Sequence, residues 1–258
     1  MSNKSYIGFY NETIRTEAGA VKKNIQPRPL SLSPISFKNL YNAYLHGIMP
    51  SIKTKTPLLG GGYYHLFNRG INREKIFFTT PNYHYFLLLI ERYLMHYMDI
   101  LAYCLLPNHF HLIVKIKDEV EAGAVSESKI QPRPLLQNEE EIGKLASKQL
   151  GRLFTSYAMA INKQENRVSN LFDPKFKRLE IDQHEYLEYL IFYTHYNPEK
   201  HGLSNNFKTY FFSSYNALSG QKKTKLNRKL VWEIYGGQEE FLDFHNGMHS
   251  EVKQVIIE

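Results

Sequence analysis

The chain has 258 residues, with 32 Lys and Arg against 25 Asp and Glu and a formal net charge of +7. That balance suits a polyanionic partner, but it does not choose among nucleic acid, an anionic membrane surface and simple solubility. The single cysteine, Cys104, excludes an internal disulfide framework and a Cys-rich zinc site, and no apolar run reaches membrane-spanning length, so a soluble cytoplasmic protein without a membrane partner is expected.

Residues 1–57 show no sustained periodicity and carry five prolines, at 27, 29, 34, 50 and 57, which reads as a loosely ordered extension with at most a short helix at Phe37 to Leu45. Gly60, Gly61 and Gly62 mark a hinge, and the main domain is expected over 58–218. Its first strand is Tyr63 to Asn68, followed by the polar loop Asn68-Arg69-Gly70. Thr80 and Pro81 then open a helix whose apolar residues run from Tyr83 to Met98.

Two apolar runs, Leu101 to Leu106 and Leu112 to Val114, flank a Pro107-Asn108 turn and predict a strand pair. Side chains alternate faces along a strand, so His109 and His111 leave the second strand together while Phe110 leaves on the other side. Two neutral imidazoles side by side can hold a divalent metal and leave positions open for a phosphate oxygen. A His-x-His pair alone is a weak signal.

Residues 117–138 form a connection too long for a compact domain and read as an insertion. Helical spacing resumes from Glu139 to Gln164, with Tyr157 at the edge of the apolar stripe, where a tyrosine is most often core. Phe176 to Asp182 alternates like a last strand. The order strand-helix-strand-strand-helix-strand is that of an α+β, ferredoxin-like split βαβ sandwich, an antiparallel sheet with helices on one face. A further helix, His184 to Tyr196, is stopped by Asn197-Pro198, and residues 219–258 open with a basic run, Lys222 to Lys229, that suits a solvated segment or a phosphate-contacting arm.

With these segments laid out, residues 62–218 resemble the REP-associated tyrosine transposases, a branch of the single-tyrosine HUH transposases of insertion sequences. The resemblance rests on Tyr64-His65-Leu66-Phe67-Asn68-Arg69-Gly70, Leu106-Pro107-Asn108-His109-Phe110-His111, Ser156-Tyr157 through Asn162, Phe176-Lys177, Asn197-Pro198-Glu199-Lys200-His201-Gly202 and Ser213-Ser214-Tyr215, in that order. It implies cleavage and rejoining of single-stranded DNA beside palindromic hairpins, by a monomer or homodimer. By that likeness His109 and His111 bind Mg²⁺ or Mn²⁺, and Tyr157 attacks phosphorus to give a 5′-phosphotyrosine. Relatives often carry an amide or carboxylate four residues after the tyrosine. Here that position is Ile161, so Asn162 is taken as the third ligand, with Gln164 as the alternative. Asn68, Arg69, Lys175 and Lys177 are the expected DNA contacts. A hairpin-binding module that does not cut, or a relaxase-like nickase, is the competing reading.

An internal repeat stands apart from all of this. Glu-Ala-Gly-Ala-Val and Ile-Gln-Pro-Arg-Pro-Leu occur at 17–30 and again at 121–135, with spacers that differ by one residue. Paired arms around a spacer suit either a duplicated linker or an in-frame copy of a DNA palindrome.

Overall fold

The computed structural model describes residues 56–121, 135–174 and 176–257. Lys175, the segment Phe37 to Leu45, the first copy of the repeat and nearly all of the second lie outside the described residues.

The main strands are β1 (Tyr63–Arg69), β2 (Met98–Leu106), β3 (His109–Ile116) and β4 (Lys177–Ile181). They form one antiparallel sheet in the order β2-β3-β1-β4. Helices α1 (Thr80–Tyr93) and α2 (Glu139–Gln164) complete the split βαβ sandwich expected from the chain order.

Local chemistry sets the helix starts. The Asn82 side chain accepts the backbone N–H groups of Phe78 and Thr79, each at 3.0 Å, and so holds the entry to α1. Asn138 accepts Glu141 N–H at 2.9 Å and caps α2, whose first turn carries Glu139, Glu140 and Glu141 on the positive end of the helix dipole. The first helix ends at Tyr93 rather than at Met98. Met98 and Ile100 are buried with period two and open β2, where apolar spacing alone cannot separate a helix end from a strand start.

Alternation along β1 and β3 divides the sheet into two faces. Tyr64, Leu66, Phe110, Leu112 and Val114 point into a core completed by α1 and α2. Ile113, Ala102 and Ile181 point the other way, into a second core. That second face is covered by α3 (His184–Lys200), backed by α5 (Arg228–Tyr235) and α6 (Gln238–Ile257). The sheet therefore has helices on both sides, with only the two sandwich helices confined to one.

Two corrections concern this second layer. Helix α3 does not stop at Asn197-Pro198 but runs through them to Lys200. A proline in the last turns forfeits one backbone hydrogen bond, while Leu187 through Pro198 are buried and hold the turn in place. The residues after 219 are also more than a basic appendage. Val231, Ile234, Tyr235, Phe241, Met248 and Val252 recur at helical spacing and bury an apolar stripe against α3. Between α3 and α5 lies a short helix, α4 (Tyr215–Ser219), preceded by a segment in which Ser213 bridges Cys104 on the β2 edge.

Candidate active site

His109 and His111 leave β3 on the face covered by α3, as the alternation predicts. In register, Arg69 pairs with His109 and Phe67 with His111, and on the far side of β1 Lys177 pairs with Phe67. Directly paired residues share a face. One side of the sheet thus carries Lys177, Phe67, His111, Arg69 and His109. They line a cleft of about 620 Å³ together with Asn68, Arg73, Asn108, Asp173 and His201. A second cleft of about 590 Å³ lies at the opposite end of β1, around Tyr63, Trp232 and Gly236, where His184 is paired with Glu188.

Burial keeps the cleft imidazoles neutral. It pushes His109 down to about 4, helped by His201 and Arg69, and holds His111 well below the ordinary histidine value. Each ring is tied at Nδ1. His109 Nδ1 lies 2.6 Å from Asn108 Oδ1, and His111 Nδ1 lies 2.9 Å from Nε2 of the buried His65. The His201 ring, at the C-terminal end of α3, meets His109 edge-on at 5.0 Å.

Tyr157 does not join them. Its side chain is fully buried in the opposite core, against Phe77, Phe86 and Phe172, and its hydroxyl donates to the Ile76 carbonyl at 2.8 Å. Burial also drives its ionisation far above the ordinary phenol range. The reason is topological: both crossover helices of a split βαβ unit pack on the Phe110 face, and the histidines leave β3 on the other. Asn162 shares this position. It sits at the end of α2 and donates to the Ser169 carbonyl at 3.0 Å, while Gln164 bonds Asn82 of α1.

Tyr193 of α3 lies on the histidine side, buried in the second core beside Tyr189 and Tyr196 of the same helix. Lys200, two turns further along the same helix, donates to its hydroxyl at 2.7 Å and lies 4.7 Å from its ring centroid. The Lys200 charge is also one of the influences that lower His111. Asn197 follows Tyr193 by one turn. It is fully buried, its Nδ2 donates to the Tyr193 carbonyl at 2.8 Å, and its Oδ1 has no hydrogen-bond partner among the described residues. The signal for Tyr193 was present in the sequence as a second aromatic helix after the last strand, which has only the uncovered face left to pack on.

Of the expected DNA contacts, Asn68 is buried and structural, donating to the Asp173 carbonyl at 3.1 Å and accepting Arg69 N–H at 2.9 Å. Arg69 is exposed and pairs with Asp173 at 3.4 Å. Lys177 is exposed and sits 5.5 Å from the Phe67 ring.

Among the described residues no three His, Cys, Asp or Glu side chains converge as a metal-binding group. The nitrogen donors the cleft presents are the two neutral imidazoles of His109 and His111. That set fits a hard divalent cation that keeps several waters and takes the rest of its ligands from a phosphate.

No helix among the described residues is long and apolar enough to cross a membrane. No protein-family model matches the chain, and no curated protein matches it. Among solved structures, one of a REP-associated tyrosine transposase bound to a REP hairpin overlaps with a TM-score of 0.43 and 17% identity, covering 67% of this chain and 94% of that one. An overlap this loose transfers neither a residue role nor a reaction.

Proposed function

We propose that the cleft cleaves single-stranded DNA beside a hairpin, with Tyr193 as the nucleophile in place of Tyr157. The observation that carries this reading is the hydrogen bond from Lys200 to the Tyr193 hydroxyl on the sheet face that also bears His109 and His111. The Tyr193 oxygen bonds to phosphorus as the bond from phosphorus to the 3′-oxygen breaks. The products are a 5′-phosphotyrosine and a free 3′-hydroxyl, with the phenol proton ending on the leaving oxygen. Lys200 stabilises negative charge as it develops on the phenol oxygen. Arg69, Arg73 and Lys177 supply positive charge along the cleft for the phosphate backbone. His109 and His111 would hold Mg²⁺ or Mn²⁺, which would supply polarisation of the phosphate and stabilisation of the leaving oxygen. Hairpin-flanked single strands follow as substrate from the sequence resemblance.

The test is an SDS-stable adduct formed on single-stranded oligonucleotides carrying the palindromes that flank the gene, with and without Mn²⁺. Wild type and Tyr157→Phe should form it, and Tyr193→Phe should not. An undiminished adduct from Tyr193→Phe would sink the assignment. Tight hairpin binding by the wild type with no adduct at all would favour a binding module.

A further inference from the structure

The hydrogen bonds behind the two cleft histidines determine which ring nitrogen each can offer. Asn108 Nδ2 donates to the Arg73 carbonyl at 3.2 Å, so the amide is oriented with Oδ1 toward His109. An amide oxygen only accepts, so His109 Nδ1 must carry the hydrogen of the 2.6 Å bond. Nε2 is left with its lone pair. The carbonyl that fixes Asn108 belongs to a strained loop. Asn72 and Arg73 both adopt positive φ, 54° and 62°, a conformation that side chains other than glycine take up at a cost.

His111 depends on a partner of a different kind. Its Nδ1 shares one hydrogen with His65 Nε2 across 2.9 Å, and Phe67 stacks on both rings, at 4.6 Å from His65 and 5.7 Å from His111. If the hydrogen belongs to His111, its Nε2 is a free ligand. If it belongs to His65, a neutral His111 carries its hydrogen on Nε2 and has no lone pair to give. Metal competence then turns on the tautomer of one buried pair.

We propose that Asn108 and His65 are positioning residues that hold His109 and His111 with Nδ1 protonated and Nε2 free for a divalent cation. The strained Asn72-Arg73 loop serves this arrangement by aiming the Arg73 carbonyl. The cation itself rests on the cleavage reading above, but the tautomers do not, and they are observable without metal or DNA.

The experiment uses the full chain labelled with nitrogen-15 histidine, read by long-range proton–nitrogen correlation in the metal-free state, followed by Mn²⁺ titration monitored by electron paramagnetic resonance. Wild type should show His109 and His111 as Nδ1–H tautomers. Asn108→Ala should move His109 toward the Nε2–H form and weaken Mn²⁺ about 10- to 100-fold, the usual cost of losing a ligand's orienting partner. Asn108→Asp keeps an acceptor and should keep the tautomer. His65→Phe should act likewise on His111, with His65→Gln restoring it. Asn108 lies on the turn between β2 and β3, so its variants test the idea even if the buried His65 variants fail to fold. Nε2–H signals for either histidine in the wild type, or tautomers indifferent to these substitutions, would overturn the proposal. The predicted tautomers without Mn²⁺ uptake would uphold the positioning roles and count against the metal in the cleavage reading.

Discussion

Lys200 Nζ and the Tyr193 hydroxyl are 2.7 Å apart on one face of α3. Partial desolvation lowers the lysine's ionisation, although the residue as a whole is exposed to solvent. An ammonium at this distance acts on the phenol oxygen and only weakly on distant phosphates. Lys200→Met is therefore expected to slow adduct formation by about 10²- to 10³-fold, the range for removing one charge-stabilising donor, with hairpin affinity nearly unchanged. Lys200→Arg should recover part of the rate. If single-turnover cleavage by Lys200→Met matches the wild type, the lysine plays no part in the chemistry.

The strand–helix order, the alternation of His109 and His111 against Phe110, and the bounds of α2 were all legible in the sequence, because each rests on a periodicity that survives without tertiary information. What was not legible from the stripe of α2 was which sheet face it covers. Tyr157 sits on that stripe in the way a nucleophile on a packed helix would, and only the sheet separates it from the histidines. The same alternation that groups His109 with His111 assigns Phe110 to the sandwich helices, so the correct face was implicit in β3 itself. The C-terminal helices were missed because the basic run over 222–229 masked the apolar spacing of Val231, Ile234 and Tyr235 that follows it. The partners of the histidine rings, His65 and Asn108, depend on cross-strand register and a left-handed loop, neither of which leaves a mark in a single sequence.

Acid should destabilise the fold through its buried histidines. His195 Nδ1 meets His245 Nε2 at 2.9 Å, and His195 Nε2 meets Ser214 Oγ at 2.8 Å, a chain that ties α6 to α3. Burial lowers His195 well below its ordinary value and takes His245 and His65 down to about 3. Above the unfolded value of 6.5 both folded and unfolded chains hold these rings neutral. Below it the unfolded chain takes up protons that the native chain refuses until its own lowered values are reached, so stability falls with pH. Each such group contributes a slope of about 1.4 kcal/mol per pH unit in that window. Urea midpoints should drop steadily between about pH 6.5 and pH 4, and His245→Phe should flatten the slope while lowering stability at neutral pH. A midpoint independent of pH over that window would contradict the burial of these rings.

The insertion after β3 leaves and rejoins the domain at one point. Val120 pairs with Leu136 and Glu121 with Leu135 in a two-residue antiparallel ladder, and Val120 is buried. A neck of this kind can be closed by a tight turn. Replacing residues 122–134 with Asn-Gly is expected to leave stability unchanged or to raise it by up to about 1.5 kcal/mol, the loop-closure entropy released by shortening the connection. Thermal denaturation of the shortened chain checks this. A loss of several kcal/mol would mean that the second copy of the repeat supports the core.

Asp173 restrains Arg69, an exposed cation of the cleft. Its Oδ2 lies 3.4 Å from Arg69 Nε, with the two side chains 25% and 54% exposed, so the pair contributes at most about 1 kcal/mol to stability. The backbone of Asp173 is held independently, its N–H donating to the Arg69 carbonyl at 2.8 Å and its carbonyl accepting Asn68 Nδ2 at 3.1 Å. Asp173→Asn should therefore leave the fold intact, remove one negative charge from the cleft and release Arg69 toward phosphate. Affinity for single-stranded DNA should rise, and the logarithmic dependence on salt should steepen by about 0.7 for the added phosphate contact. Arg69→Ala and Lys177→Ala should each flatten the dependence by a similar amount, and the double variant by about twice that, because the two side chains reach the cleft from different strands. Salt titrations of hairpin binding by fluorescence anisotropy distinguish these outcomes. A slope that none of the three substitutions moves would place the DNA elsewhere, with the basic residues Lys222, Lys223 and Lys225 as the next surface to neutralise.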